Sequence, residues 1–233
     1  MLNLTNYFIL LKKWLCLYSK KVKNKLFPSL NKREIMRWHK DGGDFEMRFN
    51  YSLNENSIVF DLGGYKGNFA SDLFSRMPCN IYIFEPVKQN YLIIKERFKL
   101  NNKIEAFPFG LSNITKSTLM EIKDDSSSTF INKGSIYPRE KVKLVDIIDF
   151  IKEKNISKID LMKINIEGGE YDLMQSLFDA NKVLIIKNLQ IQFHILDKNS
   201  IKKRDNIRDL LKKTHNCEYC YEFVWENWVR KSI

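Results

Sequence analysis

From Ser57 onward, apolar runs of strand length alternate with segments whose apolar residues recur at helical spacing. "SIVFDL" (57–62) predicts a strand, "GNFASDLFSRM" (67–77) a helix, "CNIYIFE" (79–85) a strand and "KQNYLIIKERFKLN" (88–101) a helix. "IEAFPFGLS" (104–112) reads as a strand with its turn. The middle departs from this rhythm: "STLMEI" (117–122), the polar "KDDSSSTFINKGS" and "REKVKLV" (139–145) predict an inserted hairpin and a loop. Alternation resumes with a helix over 146–155, a strand over 158–166, a helix over 169–179, a strand over 188–194 and a helix near 200–213, before the aromatic-rich tail "CEYCYEFVWENW". Strands and helices taken in turn belong to a mostly parallel sheet covered by helices, so the expected fold is an open, doubly wound α/β sheet.

The stretch before this repeat has another character. "TNYFILLKKWLCLYSKKVKNKLFP" holds two apolar blocks, Tyr7 to Leu11 and Trp14 to Tyr18, split by Lys12 and Lys13. That is short of the ~20 apolar residues of a spanning helix. With Lys20, Lys21, Lys23 and Lys25 behind it, residues 5–27 suit a helix lying on an anionic membrane surface, or one packed on the domain or a partner. No Gly/Ser linker or internal repeat divides the remaining chain, so the expected organisation is an N-terminal helical extension (1–50) and one domain (51–233).

Charge adds a partner class without choosing one. The 39 Lys and Arg outnumber 28 Asp and Glu, and the resulting +11 asks for nucleic acid, a phosphate-bearing substrate or a membrane surface. Four scattered cysteines make no disulfide framework, and with no export signal apparent a reduced, cytoplasmic protein is expected. Cys217 and Cys220 form a C-x-x-C without a second pair, read as two buried small side chains in an extended segment in preference to a metal or redox site.

In an open α/β sheet, ligands sit outside the carboxyl ends of the strands, so the residues there carry the chemistry. The first strand delivers Asp61, Gly63, Gly64 and Gly67, spaced D-x-G-G-x-x-G. Glycine allows a turn to pass close to a ligand, whereas an acid two residues before it would repel a pyrophosphate and suits a cationic ligand. Glu85 ends the second strand, 18 residues after Gly67, where an acid can take both hydroxyls of a ribose; Pro86 stops the strand. Gly110 and Ser112 end the third strand and suit the edge of an adenine. The fourth ends in "KINIEGGEYD", where Lys163 and Asn165 share one face and Glu167 and Glu170 follow. Lys163 either pairs with Glu167 or Asp61 or serves an acceptor. Gln192 and His194 close the fifth strand.

The ordered set "FDLGGYKGNFA", "IFEPV", "FGLS", "IDLMKINIEGGEYDLM" and "LQIQFH" resembles the FkbM-type S-adenosylmethionine-dependent methyltransferases, on the Rossmann-like class I methyltransferase fold, over roughly residues 57–230. The resemblance implies S-adenosyl-L-methionine as cofactor, with Asp61, Gly63 and Gly67 shaping the methionine pocket and Glu85 binding the ribose. It further implies transfer of a methyl group to a hydroxyl of a sugar, surface glycan or other small molecule. One residue departs from the family pattern K-I-D-x-E-G: Asn165 stands in place of the aspartate, so no metal requirement is carried over.

A protonated hydroxyl is a poor nucleophile, so a base is expected beside the cofactor. His194 is the first candidate, because an unperturbed imidazole is largely neutral at cytoplasmic pH; Glu167 is the second, and Asn165 can only orient. Gln192, Lys163, Ser128 in the polar run, and Trp225 and Trp228 are candidates for the acceptor side, the polar run and the tryptophans equally suiting a surface loop and core packing. Two other functions stay open: an RNA or DNA methyltransferase, which the charge favours but for which no D/N-P-P-Y/F strand end is present, and a membrane-associated binding module that has lost catalysis.

Overall fold

A computed structural model of the protein describes residues 29–123 and 136–232. The segment 5–27 and Ser128, for which a membrane contact and an acceptor contact are expected, lie outside these residues. No helix among them is long and apolar enough to cross a membrane.

The strand–helix alternation folds as expected. Strands β1 (Ile58–Leu62), β2 (Asn80–Phe84) and β3 (Ile104–Phe107) are joined through helices α2 (Asn68–Arg76) and α3 (Lys88–Arg97). Helix α1 (Leu30–Lys40) precedes them. Later in the chain come α4 (Ile147–Glu153), β7 (Ile159–Ile164), α5 (Glu170–Asp179), β8 (Ile186–Ile191) and α6 (Ser200–Thr214), then a hairpin of β9 (His215–Tyr221) and β10 (Trp225–Arg230). The main sheet runs β3-β2-β1-β7-β8-β10-β9, with β10 antiparallel to both its neighbours and the other pairs parallel. The order reverses between β1 and β7, which opens the crevice where such sheets bind ligands.

Because side chains alternate across a strand, each face of the sheet has its own core. Phe60, Leu62, Phe84, Met162, Ile164 and Leu189 pack on one side with α4, α5 and α6. Val59, Ile81, Ile83 and Leu161 pack on the other with Phe69 and Leu73 of α2 and Ile94 of α3.

Three segments add to or differ from the sequence expectation. The run 104–112 is not one strand: Pro108 has no N–H to offer a ladder, and beyond it β4 (Gly110–Ser112) leaves the main sheet. β4 instead pairs parallel with β6 (Arg139–Asp146), whose antiparallel partner is β5 (Lys116–Glu121), so the expected insertion is a second, three-stranded sheet. The aromatic tail forms the β9–β10 hairpin, with a register shift at Asn227/Trp228. In β9 Cys217 is exposed and Cys220 half-buried, so the expected burial of both does not hold. Finally, the boundary expected at residue 51 does not separate an extension from the body. Trp38 of α1 is buried against Tyr221 and Trp225, and a Cβ on Gly43 would lie 2.1 Å from the Trp38 ring, so only glycine lets the chain turn back there.

Candidate active site

The carboxyl ends of β1, β2, β7 and β8, roofed by the small sheet, enclose a cavity of about 520 Å³. Its floor is the glycine turn after β1. Gly63 adopts φ 78°, and a Cβ there would stand 1.9 Å from the backbone oxygen of Asn165 at the end of β7. Only glycine allows these two strand ends to touch. Gly67, at φ 78°, begins α2 without lining the cavity; Gly64 lines it and packs on Ile83.

Asp61 and Lys163 face each other across β1 and β7 in direct register. Lys163 Nζ stands 2.9 Å from Asp61 Oδ1 and donates hydrogen bonds to the carbonyls of Gly63 (2.8 Å) and Leu62 (3.3 Å). Of the partners the sequence leaves open for Lys163, the structure gives Asp61. The cation that Asp61 answers is Lys163 and not a ligand, since Asp61 is fully buried and does not line the cavity. Lys163 reaches the wall, but its ammonium holds the glycine turn in place and is not presented to an acceptor.

Glu85 lines the cavity opposite the turn. Oε2 accepts from the N–H of Tyr65 (2.8 Å) and Oε1 from that of Val87 (2.9 Å). The Asn90 side chain adds a third hydrogen bond, which leaves the carboxylate acceptor capacity for a further donor. Burial lifts the Glu85 pKa to about 7, against backbone hydrogen bonds that lower it. Beyond Glu85, Pro86, Gly110, Leu111, Met120 and Leu144 make an apolar slot between the two sheets, with Ser112 at its edge.

On the other side stand Asn165, Glu167 and Gln192. Asn165 Oδ1 is buried and has no hydrogen-bond partner among the described residues. Glu167 takes φ 52°, uncommon for a side chain of its size. His194 does not line the cavity. Its Nδ1 lies 3.1 Å from Glu170 Oε1 and its Nε2 3.3 Å from Glu167 Oε1. Burial by itself would depress the imidazole pKa, but hydrogen bonds to both carboxylates and their charges raise it to about 9. Set back from the cavity lining and held between two carboxylates, His194 is placed to position Glu167.

Trp225 and Trp228 take the core-packing alternative: Trp225 is buried beside Trp38, and Trp228 belongs to the main core. Sequence reasoning missed Arg48, Asn68, Asn113 and Asp172, all of which line the cavity. Asn113 directly follows Ser112, and Asp172 closes the run "KINIEGGEYD" inside α5, so both were within reach. Arg48 lies outside the strand–helix repeat and carried no signal.

A family model for the Methyltransferase FkbM domain matches residues 61–221, more than half of the chain. The chain belongs to the FkbM methyltransferase family. No protein of curated function matches it. Among solved structures it is similar to a putative rRNA methylase from Clostridium thermocellum, at 11% identity and a TM-score of 0.47, over 77% of this chain and 89% of that one. It is also similar to a putative methyltransferase from Streptococcus mutans in complex with SAH, at 12% identity and a TM-score of 0.43, over 78% and 92%. As a member of the FkbM family it uses S-adenosylmethionine, and the residues present fit that cofactor. Glu85 offers lone pairs to the ribose hydroxyls, the apolar slot fits a flat purine, and the unpartnered Asn165 Oδ1 is an acceptor for an ammonium.

Proposed function

We propose that this methyltransferase acts on a hydroxyl of a neutral, polyhydroxylated acceptor, a sugar or surface glycan. The observation that carries this reading is a groove that continues from the cavity through Asn113 and Asp172 along α5, lined by Gln175, Ser176 and Asp179. Amides, a hydroxyl and two carboxylates are hydrogen-bonding partners for sugar hydroxyls. The same two carboxylates oppose a phosphodiester backbone, although the chain as a whole carries +11.

The cofactor supplies a methyl group already activated by a positive sulfur, so the protein has mainly to orient the acceptor and remove its proton. Glu167, on the cavity wall and held by the His194 imidazolium, takes the proton of the attacking hydroxyl. Asn165 orients, and Gln192 contributes a further amide beside them.

Transfer of labelled methyl from S-adenosylmethionine to a panel of mono- and oligosaccharides, with bulk RNA alongside, tests the reading. The expected product is a sugar methyl ether, lost roughly 10²–10⁴-fold in kcat by Glu167→Gln with S-adenosylhomocysteine affinity retained. Label entering RNA alone would overturn it, and cofactor binding without transfer to any hydroxyl would favour a binding module.

A further inference from the structure

We infer that Arg48 anchors the α-carboxylate of the cofactor's methionyl group and thereby makes the amino-acid end of the donor a requirement for tight binding. Arg48 sits in a 3-10 turn (Met47–Phe49) that crosses the sheet before β1 and lines the cavity. Its place is built. Gln190 Nε2 donates to the Arg48 carbonyl (3.1 Å), and Gln190 Oε1 receives Arg48 Nε (3.4 Å). The guanidinium lies between two rings, 4.4 Å from the centre of Trp225 and 5.2 Å from that of Phe69. Stacking of this kind holds the planar group by its faces and leaves its N–H edges for a ligand.

Those edges are under-used. Nε is the one guanidinium nitrogen with a hydrogen-bond partner among the described residues, and the carboxylate of Asp44 stands off at 3.8 Å. Burial accordingly depresses the Arg48 pKa, as expected for a cation stripped of water without full replacement. The local charges make an anion the matching ligand. Asp61 is already paired with Lys163 at 2.9 Å, and the other carboxylate that faces Arg48, Asp44, stands 3.8 Å away, so the guanidinium lacks a close counter-charge of its own. An α-amino acid presents a carboxylate and an ammonium on one carbon. The Arg48 fork suits the first, and the buried, unpartnered Asn165 Oδ1 suits the second.

Calorimetric titration without any acceptor tests this independently of the acceptor class. Wild-type protein and Arg48→Met are titrated with S-adenosylhomocysteine, with its analogue carrying hydrogen in place of the α-carboxylate, and with 5′-methylthioadenosine. Wild type is expected to bind the decarboxylated analogue roughly 10- to 100-fold more weakly than S-adenosylhomocysteine. Arg48→Met is expected to lose that same factor for S-adenosylhomocysteine and to bind the other two unchanged. Equal binding of the first two ligands by wild type overturns the inference. So does an equal loss for all three ligands in the variant, which would mark Arg48 as a packing element, or no loss at all, which would turn it toward the acceptor. Should Arg48→Met fail to fold, Arg48→Lys replaces it: it is expected to keep part of the preference, and an unaltered preference or an equal loss for all three ligands overturns the assignment.

Discussion

Asp61→Asn separates a structural pair from a ligand contact. Were Asp61 a direct contact for the cofactor's cation, the change would weaken S-adenosylhomocysteine binding and leave the fold intact. The structure puts the cost elsewhere. Asp61 is 0% and Lys163 4% exposed, and their charged atoms are 2.9 Å apart, so an amide at 61 leaves a buried ammonium without its counter-charge. Removing one partner of such a pair costs about 3–5 kcal/mol. Lys163 keeps its hydrogen bonds to Leu62 and Gly63, which places the expectation near ~3 kcal/mol, a large share of the ~5–15 kcal/mol that holds a domain together. Urea denaturation should therefore show a midpoint lower by about 1 M or more at a normal slope. The double variant Asp61→Asn/Lys163→Met should recover most of the loss, because no charge is left in the core. The pH dependence has a definite sign. Burial already depresses the Lys163 pKa, and loss of Asp61 depresses it further. Between that lowered folded value and the unfolded value near ~10.4 the unfolded state binds the extra proton, so the single variant gains stability as pH rises through this window. A single variant within about 1 kcal/mol of wild type, or a double variant as unstable as the sum of its parts, would refute the reasoning.

The remaining predictions concern the turn and the two perturbed groups. Glu85, with its pKa near about 7, must be ionised to accept both ribose hydroxyls, so calorimetric affinity for S-adenosylhomocysteine should be about tenfold weaker at pH 6 than at pH 8, a dependence that Glu85→Gln abolishes along with tight binding. His194 is raised to about 9 from an unperturbed value near ~6.5, so its contribution to stability is complete below ~6.5 and lost as pH rises through 9; melting temperature should fall across that window in wild type and stay level in His194→Gln. Gly63→Ala forces a side chain into φ 78° and a carbon to within 1.9 Å of the Asn165 oxygen; it should cost about 3 kcal/mol in denaturation and weaken cofactor binding in calorimetry.

The parallel half of the fold was readable because its evidence is local. Apolar runs such as "IVF" and "IYIF" are strands wherever they are placed, and glycine at 63 carries its own reason. The β5–β6 hairpin of the second sheet was readable as an insertion, but its third strand was not, because Pro108 says only that a ladder stops and gives no hint that two residues later, at Gly110, the chain begins to pair with β6. The role of Lys163 turns on register: whether it meets Asp61 or an open cavity depends on a one-residue alignment of β1 against β7. The surroundings of His194 were hidden for a similar reason. Its intrinsic pKa is a property of the residue, but its folded pKa belongs to Glu167 and Glu170, which arrive from the turn before α5 and from α5 itself. Arg48 shows the limit, since nothing in a lone arginine outside the repeat announces two stacking rings and a glutamine from distant strands.

Asp61, Lys163, Gln190 and Asn227 occupy matched positions on β1, β7, β8 and β10, so a row of buried polar side chains crosses one face of the sheet. Such a row is costly unless each member is answered by another group. Here Lys163 answers Asp61, and the segment laid over the sheet answers the rest: Gln190 donates to Tyr51 Oη (2.7 Å) and Tyr51 donates to Asn227 Oδ1 (3.1 Å). The segment before β1 is thus held down by the same polar row that holds the glycine turn, which places Arg48 and the turn in one rigid frame. The pairing also bears on catalysis. Methyl transfer disperses the donor's positive charge, and an unpaired carboxylate beside that charge would hold the ground state more tightly than the transition state. With Lys163 neutralising Asp61, the floor of the site would present no such free carboxylate to a bound cofactor.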